Sequence, residues 1–310
     1  MKNLILALDK KKLIKKNIIN NKINDSSNLY IHNRINKNII KKKININKNI
    51  NSIDDILWIL ENYPIIYNIE YNIDLNKLDL IKDDLIKLNN MIGMKDIKNS
   101  ILNQLIFYLQ NFHLKTGINY MHTVIYGPPG TGKTEIAKII GNIFTKLGIL
   151  KNGTFKKVVR SDLIAGYLGQ TALKTKKVIE ESLGGVIFID EAYALGNSEK
   201  RDSFSKECID TLCESLSYHR NELMVIIAGY EEELETCFFN YNPGLKSRFS
   251  WNLKTEHSSP EQLRAIFLKK IKEINWSIKN NNLNLDIFEK NKNLFKYYGR
   301  DIEILVIKTT

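Results

Sequence analysis

The chain has 310 residues, 43% of them hydrophobic, and a formal net charge of +12 at pH 7. That apolar content suffices to bury a core in one large domain or two modest ones, which excludes a chain that is disordered throughout. Basicity on this scale ordinarily points to nucleic acid or an anionic surface. Most of the excess, however, lies in residues 1–60, whose Lys, Asn and Ile vocabulary ("KKKLIKKNIINNKIN") is also what AT-rich codon usage writes. That segment reads either as a solvated tail or as an electrostatic docking arm.

The apolar run Leu4 to Leu8 near the start is too short for a signal-peptide core. No stretch approaches the ~20 apolar residues of a membrane span. Within the low-complexity region, "IDDILWILENYPII" suggests a short packed helix or turn. From Leu75 the Leu and Ile residues recur at helical spacing, with Gly93 as the break between two helices. The chain then alternates apolar strands with amphipathic helices. "HTVIYG" precedes a helix from Lys133, "FKKVVR" one after Gln170, "GVIFID" one after Asp202, and "LMVIIAG" a short acidic helix; "RFSWNLK" is a fifth strand. Alternation of this kind predicts an α/β fold, a five-stranded parallel sheet flanked by helices. From Pro260 onward the sequence is helix-forming. The expected division is a basic, partly disordered segment over 1–74, an α/β subdomain with N-terminal helices over 75–254, and a small helical lid over 255–310, short or incomplete at its end.

Cys208, Cys213 and Cys237 form no CxxC pair and have no histidine at metal-ligand spacing. Neither a disulfide framework nor a zinc site is expected, and the usage fits a reducing compartment: cytoplasm, or host cytoplasm or virion for a viral chain.

Two motifs carry chemistry. Residues 127–134 read GPPGTGKT, a full G-x-x-x-x-G-K-[ST] match between a strand and a helix. Gly127, Gly130 and Gly132, spaced by Pro128, Pro129 and Thr131, let the backbone bend so that successive N–H groups point at phosphate oxygens. Lys133 supplies a point charge to the β and γ phosphates, and the Thr134 hydroxyl is a magnesium ligand. The second motif is "GGVIFIDEAYAL", a buried strand that delivers Asp190 and Glu191 at its C-terminal end, where open α/β sheets bind ligands. Asp190 can hold the magnesium ion directly or through water, and Glu191 orients or deprotonates an attacking water. ATP and magnesium are therefore the expected cofactors.

These residues resemble the AAA+ ATPases, and within them the CbbX/CfxQ and SpoVK-like proteins. The similarity runs from about Leu78 to Arg300 and is carried by "GPPGTGKTEIAK", "RSDLIAGYLGQTALKT", "GGVIFIDEAYAL" and "NPGLKSRF". The resemblance implies that Arg248 is an arginine finger reaching a neighbouring subunit's nucleotide. It implies that Arg300, in "YYGRDIE", is the lid's sensor arginine, and that Ile92 and Gly93 form the turn packing against adenine. Tyr167, Leu168 and Gly169 fall where the family places its pore loop. Many AAA+ proteins end the fourth strand of the sheet with a polar residue, often Asn, that helps position water; here that strand ends in Gly229 and Tyr230, so the water-positioning residue is unassigned. The implied function is an ATP hydrolase that remodels a protein client by threading it through a homo-oligomeric, hexameric ring. Two alternatives stand beside it: a nucleic-acid motor or loader, suggested by the basic N-terminal segment, and an ATP-dependent assembly scaffold.

Overall fold

The computed structural model describes residues 41–116, 120–167, 169–199, 201–278 and 283–309. The basic stretch 1–40 and Leu168 of the expected pore loop lie outside the described residues. The chain divides into two units, residues 1–47 with 65–73, and residues 48–64 with 74–310.

In the first unit β1 (Lys42–Ile44) pairs in parallel with β2 (Ile69–Tyr71). The Ile46 N–H donates to Asn72 Oδ1 at 2.8 Å just beyond the strands. The sequence gives no sign of this pairing. Two three-residue strands separated by a helix produce no period-2 signal of their own.

The second unit opens with α1 (Ile53–Asn62), started by a capping box in which Ser52 and Asp55 satisfy each other's backbone N–H groups. The Leu/Ile-rich stretch that follows forms four helical pieces rather than the expected two: α2 (Leu75–Leu80), α3 (Lys82–Asn89), α4 (Lys95–Leu109) and α5 (Phe112–Thr116). The break at Gly93 is present, with φ 71° there and 57° at Met94. Further bends fall at Ile81 and Asn111. Helical spacing reports which side chains face the core, here Leu78, Ile81, Leu85 and Leu88. It does not report that the backbone bends to keep all four there.

The central sheet comprises β3 (Thr123–Tyr126), β4 (Phe155–Val158), β5 (Val186–Ile189), β6 (Met224–Gly229) and β7 (Trp251–Lys254). Their order is β4-β5-β6-β3-β7 and every pairing is parallel. The three inner strands are buried at every residue, as expected where helices cover both faces. The edge strands expose lysines, which discourages pairing with another chain.

The connecting helices are α6 (Lys133–Lys146), α7 (Arg160–Leu163), α8 (Thr171–Glu180), α9 (Ser203–Tyr218), α10 (Glu231–Cys237) and α11 (Pro243–Arg248). On one face Val124, Ile187, Ile189, Val225 and Ile227 pack with residues of α8 and α9. On the other, α6 comes so close that a Cβ at Gly141 would stand 3.0 Å from Val186 Cγ2. After the sheet come α12 (Pro260–Glu273), α13 (Asp286–Lys290) and α14 (Gly299–Thr309). They enclose a separate cluster of Leu263, Phe267, Ile271, Phe288, Phe295, Ile302 and Val306. Each fully buried side chain of this size contributes roughly 1.5–3 kcal/mol, so these helices hold together through a core of their own.

Candidate nucleotide site

The turn from β3 into α6 is held from both sides. The Gly127 N–H donates to the Gly229 carbonyl of β6 at 3.0 Å, and the Thr131 hydroxyl bonds the Pro128 carbonyl and Thr255 Oγ1, each at 2.8 Å. Gly130 has φ 76°, and a Cβ there would stand 1.9 Å from the Tyr297 carbonyl oxygen. Only glycine fits such a position. The Lys133 ammonium donates to the carbonyls of Gly127 and Pro128, both at 2.8 Å. Burial lowers its pKa, opposed by the negative charge of Asp190 and Glu191.

The strand order explains why those carboxylates are near. β6 lies between β3 and β5, so the phosphate loop and the Asp190-Glu191 pair flank the C-terminal end of β6. Asp190 Oδ2 accepts from Lys157 Nζ at 3.1 Å. Glu191 adopts left-handed backbone, φ 52° and ψ 47°, and opens a 3₁₀ turn over Ala192–Leu195. The helical C-terminal region reaches the loop directly: the Gly299 N–H donates to the Gly130 carbonyl at 3.1 Å. Arg300 follows, and its charge is among the influences lowering the pKa of Lys133.

A cleft of about 660 Å³ gathers Ile92, Lys133, Thr134, Asp190, Glu191 and Arg300, together with Pro129, Gly130, Thr131 and Gly132 of the loop. Its size suits a nucleotide. Among the described residues no cluster of three His, Cys, Asp or Glu is placed to hold a metal. One hydroxyl, Thr134, and one carboxylate, Asp190, nevertheless fit magnesium, which commonly takes one or two protein oxygens and completes its shell with phosphates and water.

Other expected residues lie elsewhere. Gly93 does not line the cleft; the Gln262 amide sits against it, 2.6 Å from where a Cβ would be. Arg248 is absent from the lining, and its Nε donates to Ser217 Oγ at 2.6 Å while Nη1 donates to the Gly244 carbonyl. Tyr167 is 74% exposed, and among the described residues nothing lies within 4 Å of a Cβ position at Gly166 or Gly169. Sequence reasoning missed Lys157, Arg160 and Tyr193, all in contact with the carboxylate strand or the turn after it. The available signal was the glycine ending β6, which leaves space for a side chain from another element.

The model of the ATPase family associated with various cellular activities (AAA) matches residues 123–254, from the first residue of β3 to the last of β7. A cfxQ-like protein of Acanthamoeba polyphaga mimivirus is 42% identical over 240 residues, covering 77% of this chain and 59% of that protein. Stage V sporulation protein K of Bacillus subtilis is 35% identical over 207 residues, 65% of this chain and 64% of the relative. The ESX-1 secretion system protein EccA1 of Mycobacterium tuberculosis is 43% identical over 147 residues, 47% of this chain and 26% of the relative. The chain thus spans less than two thirds of the length of these relatives.

Proposed function

The chain carries an AAA ATPase domain of the type found in cfxQ-like proteins, and from that premise we propose that it couples ATP hydrolysis to remodelling a protein client, which the Tyr167 loop grips in an oligomeric ring. The observation that carries this reading is the exposure of Tyr167, 74%, between two glycines. A large ring so placed gains little from packing, and its glycine flanks let the backbone move. A grip of this kind needs no particular client sequence.

Within the cleft, the loop N–H groups and Lys133 hold the β and γ phosphates. Thr134 and Asp190 would hold magnesium, which when bound offsets negative charge on the phosphate oxygens. The Glu191 carboxylate takes the proton of the attacking water. Arg300, from the lid formed by the last three helices, adds positive charge on the same nucleotide. Arg248 does so from a neighbouring copy, and Ile92 packs against the base.

The test is ATP turnover by the full chain with magnesium, alone, with unfolded casein, and with single-stranded DNA. Casein should raise turnover, and Tyr167→Ala should lose that increment. Lys133→Ala should lose nucleotide binding, whereas Glu191→Gln should bind ATP and lose roughly 10²–10⁴ in turnover. Stimulation by DNA and not by casein would replace this reading with a nucleic-acid motor. Binding without turnover at any protein concentration would leave an assembly scaffold.

A further inference from the structure

Alternate residues of a strand share a face, so Asp190, just past the end of β5, continues the row of Val186 and Phe188. That face is the one α6 covers: a Cβ at Gly141 would lie 3.0 Å from Val186 Cγ2 and 3.6 Å from Phe155 Cδ2. The same helix begins at Lys133 and Thr134, which is how the sheet brings Asp190 into the cleft with them. β4 borders β5 on its outer side and pairs with it in parallel, Lys157 opposite Phe188. Paired residues face the same way. Lys157 therefore stands on the Asp190 face, one strand further out, beside Phe155, whose ring stacks on Phe188 at 5.8 Å.

From that position Lys157 Nζ lies 5.9 Å from the centroid of the Phe188 ring and donates to Asp190 Oδ2 at 3.1 Å. Among the described residues this is the one hydrogen bond that the Asp190 side chain makes. Lys157 does not line the cleft, so it approaches the carboxylate from outside. The carboxylate that fits magnesium on its cleft side thus has a positive charge on the other. Two effects of opposite sign follow for a divalent ion. A donor that orients a metal ligand strengthens binding, whereas a cation beside the ligand offsets its charge and repels the ion. Which one wins depends on how firmly the lysine is held. The Lys157 side chain is 51% exposed, on an edge strand. A long, flexible side chain so exposed orients its partner weakly, and its charge decides the sign.

We propose that Lys157 is a competing charge at the magnesium site: it pairs with Asp190 and lowers the gain in nucleotide affinity that the metal brings. Asp190 and Lys157 together carry no net charge, and the Thr134 hydroxyl adds none. A divalent ion is then held there only together with the phosphate oxygens of a nucleotide, so metal and nucleotide arrive and leave as one. The proposal rests on reading the cleft as a site for ATP and magnesium.

Binding of a fluorescent, non-hydrolysable ATP analogue to the full chain, measured with excess EDTA and again with excess magnesium, tests this without any turnover. The ratio of the two affinities is the coupling between metal and nucleotide. Lys157→Met keeps most of the side chain's length and removes its charge. It should raise the ratio by about three-fold or more, the scale of an exposed ion pair. Lys157→Arg keeps the charge and should match the parent chain. A general disturbance of the cleft would weaken both affinities and leave the ratio where it was. A smaller rise in Lys157→Met, or a fall, overturns the proposal; a fall would make Lys157 a positioning residue for the metal ligand. An equal rise in Lys157→Arg overturns it too, since the charge is still there. Asp190→Asn should lower the ratio. If it does not, the magnesium reading of Asp190 itself fails, and the Lys157 assignment with it.

Discussion

His122 sits fully buried at the head of β3 with both ring nitrogens engaged. Nδ1 accepts from the Val225 N–H at 3.1 Å and Nε2 donates to the Leu216 carbonyl at 3.3 Å, so the ring ties β3 to β6 and α9. That pattern requires one protonated and one bare nitrogen, which is the neutral ring. Burial, aided by the charge of Arg248 and opposed by the Leu216 carbonyl, takes the pKa from 6.5 down to about 4. Above pH 6.5 the ring is neutral in folded and unfolded chains alike, and the full stability is present. As pH falls through the window down to about 4, the unfolded chain takes up a proton that the folded chain refuses, so stability drops by on the order of 3 kcal/mol. Thermal melts between pH 7 and 4.5 should therefore fall steeply, and more shallowly in His122→Gln. Equal slopes for the two proteins would remove His122 as the cause. No sequence pattern marks this histidine, because its partners come from strands and helices distant in the chain.

At the scale of elements, Arg160 joins the α7 helix to the turn after Glu191 and to the start of α9. Besides the Ala194 and Leu195 carbonyls of that turn, its guanidinium reaches Ser205 Oγ at 3.0 Å and Asp202 Oδ2 at 2.7 Å. Asp202 in turn caps α9 by accepting from the Phe204 N–H and the Ser205 hydroxyl. The exposed Tyr167 lies four residues beyond the end of α7, so the helix that precedes the proposed gripping loop is hydrogen-bonded to the turn that follows Glu191. A lysine keeps the charge but cannot span several acceptors at once. Arg160→Lys should cost about 1–3 kcal/mol of stability, read from denaturant unfolding, since polar groups at this partly buried site lose their partner. It should also reduce casein-stimulated turnover more than basal turnover. If both rates fall in proportion, the staple is structural alone.

For the whole molecule the telling residue is Arg248, which its own chain keeps away from its own cleft. It is held at the end of α11 by Ser217 and Gly244, and the role proposed for it is on the nucleotide of a neighbouring copy. Turnover per chain should then rise with protein concentration, and Arg248→Ala should lower it by about 10³-fold with ATP binding retained. Mixing Arg248→Ala with Lys133→Ala chains should restore part of the rate, each copy supplying what its neighbour lacks. A rate per chain that does not change on dilution would refute a shared site. In contrast, Arg300 belongs to the same chain's loop: the Gly299 N–H bonds the Gly130 carbonyl, and Tyr297 packs its carbonyl where a Gly130 side chain would stand. Among the described residues no helix is long and apolar enough to cross a membrane.

The sequence by itself determined the phosphate loop, the five strands and the Asp190-Glu191 pair. Each is a run of a few residues whose chemistry depends on neighbours along the chain: glycines that bend, an apolar run that buries, a polar pair where it ends. Only the tertiary structure decided that β6 stands between the loop and the carboxylates, that Tyr193 fills the space left by Gly229, and that Arg160 joins α7 to the turn after Glu191. Strand order and through-space contacts depend on how separate segments pack, and the free energy that selects them is spread over burial throughout the sheet rather than written into any one stretch.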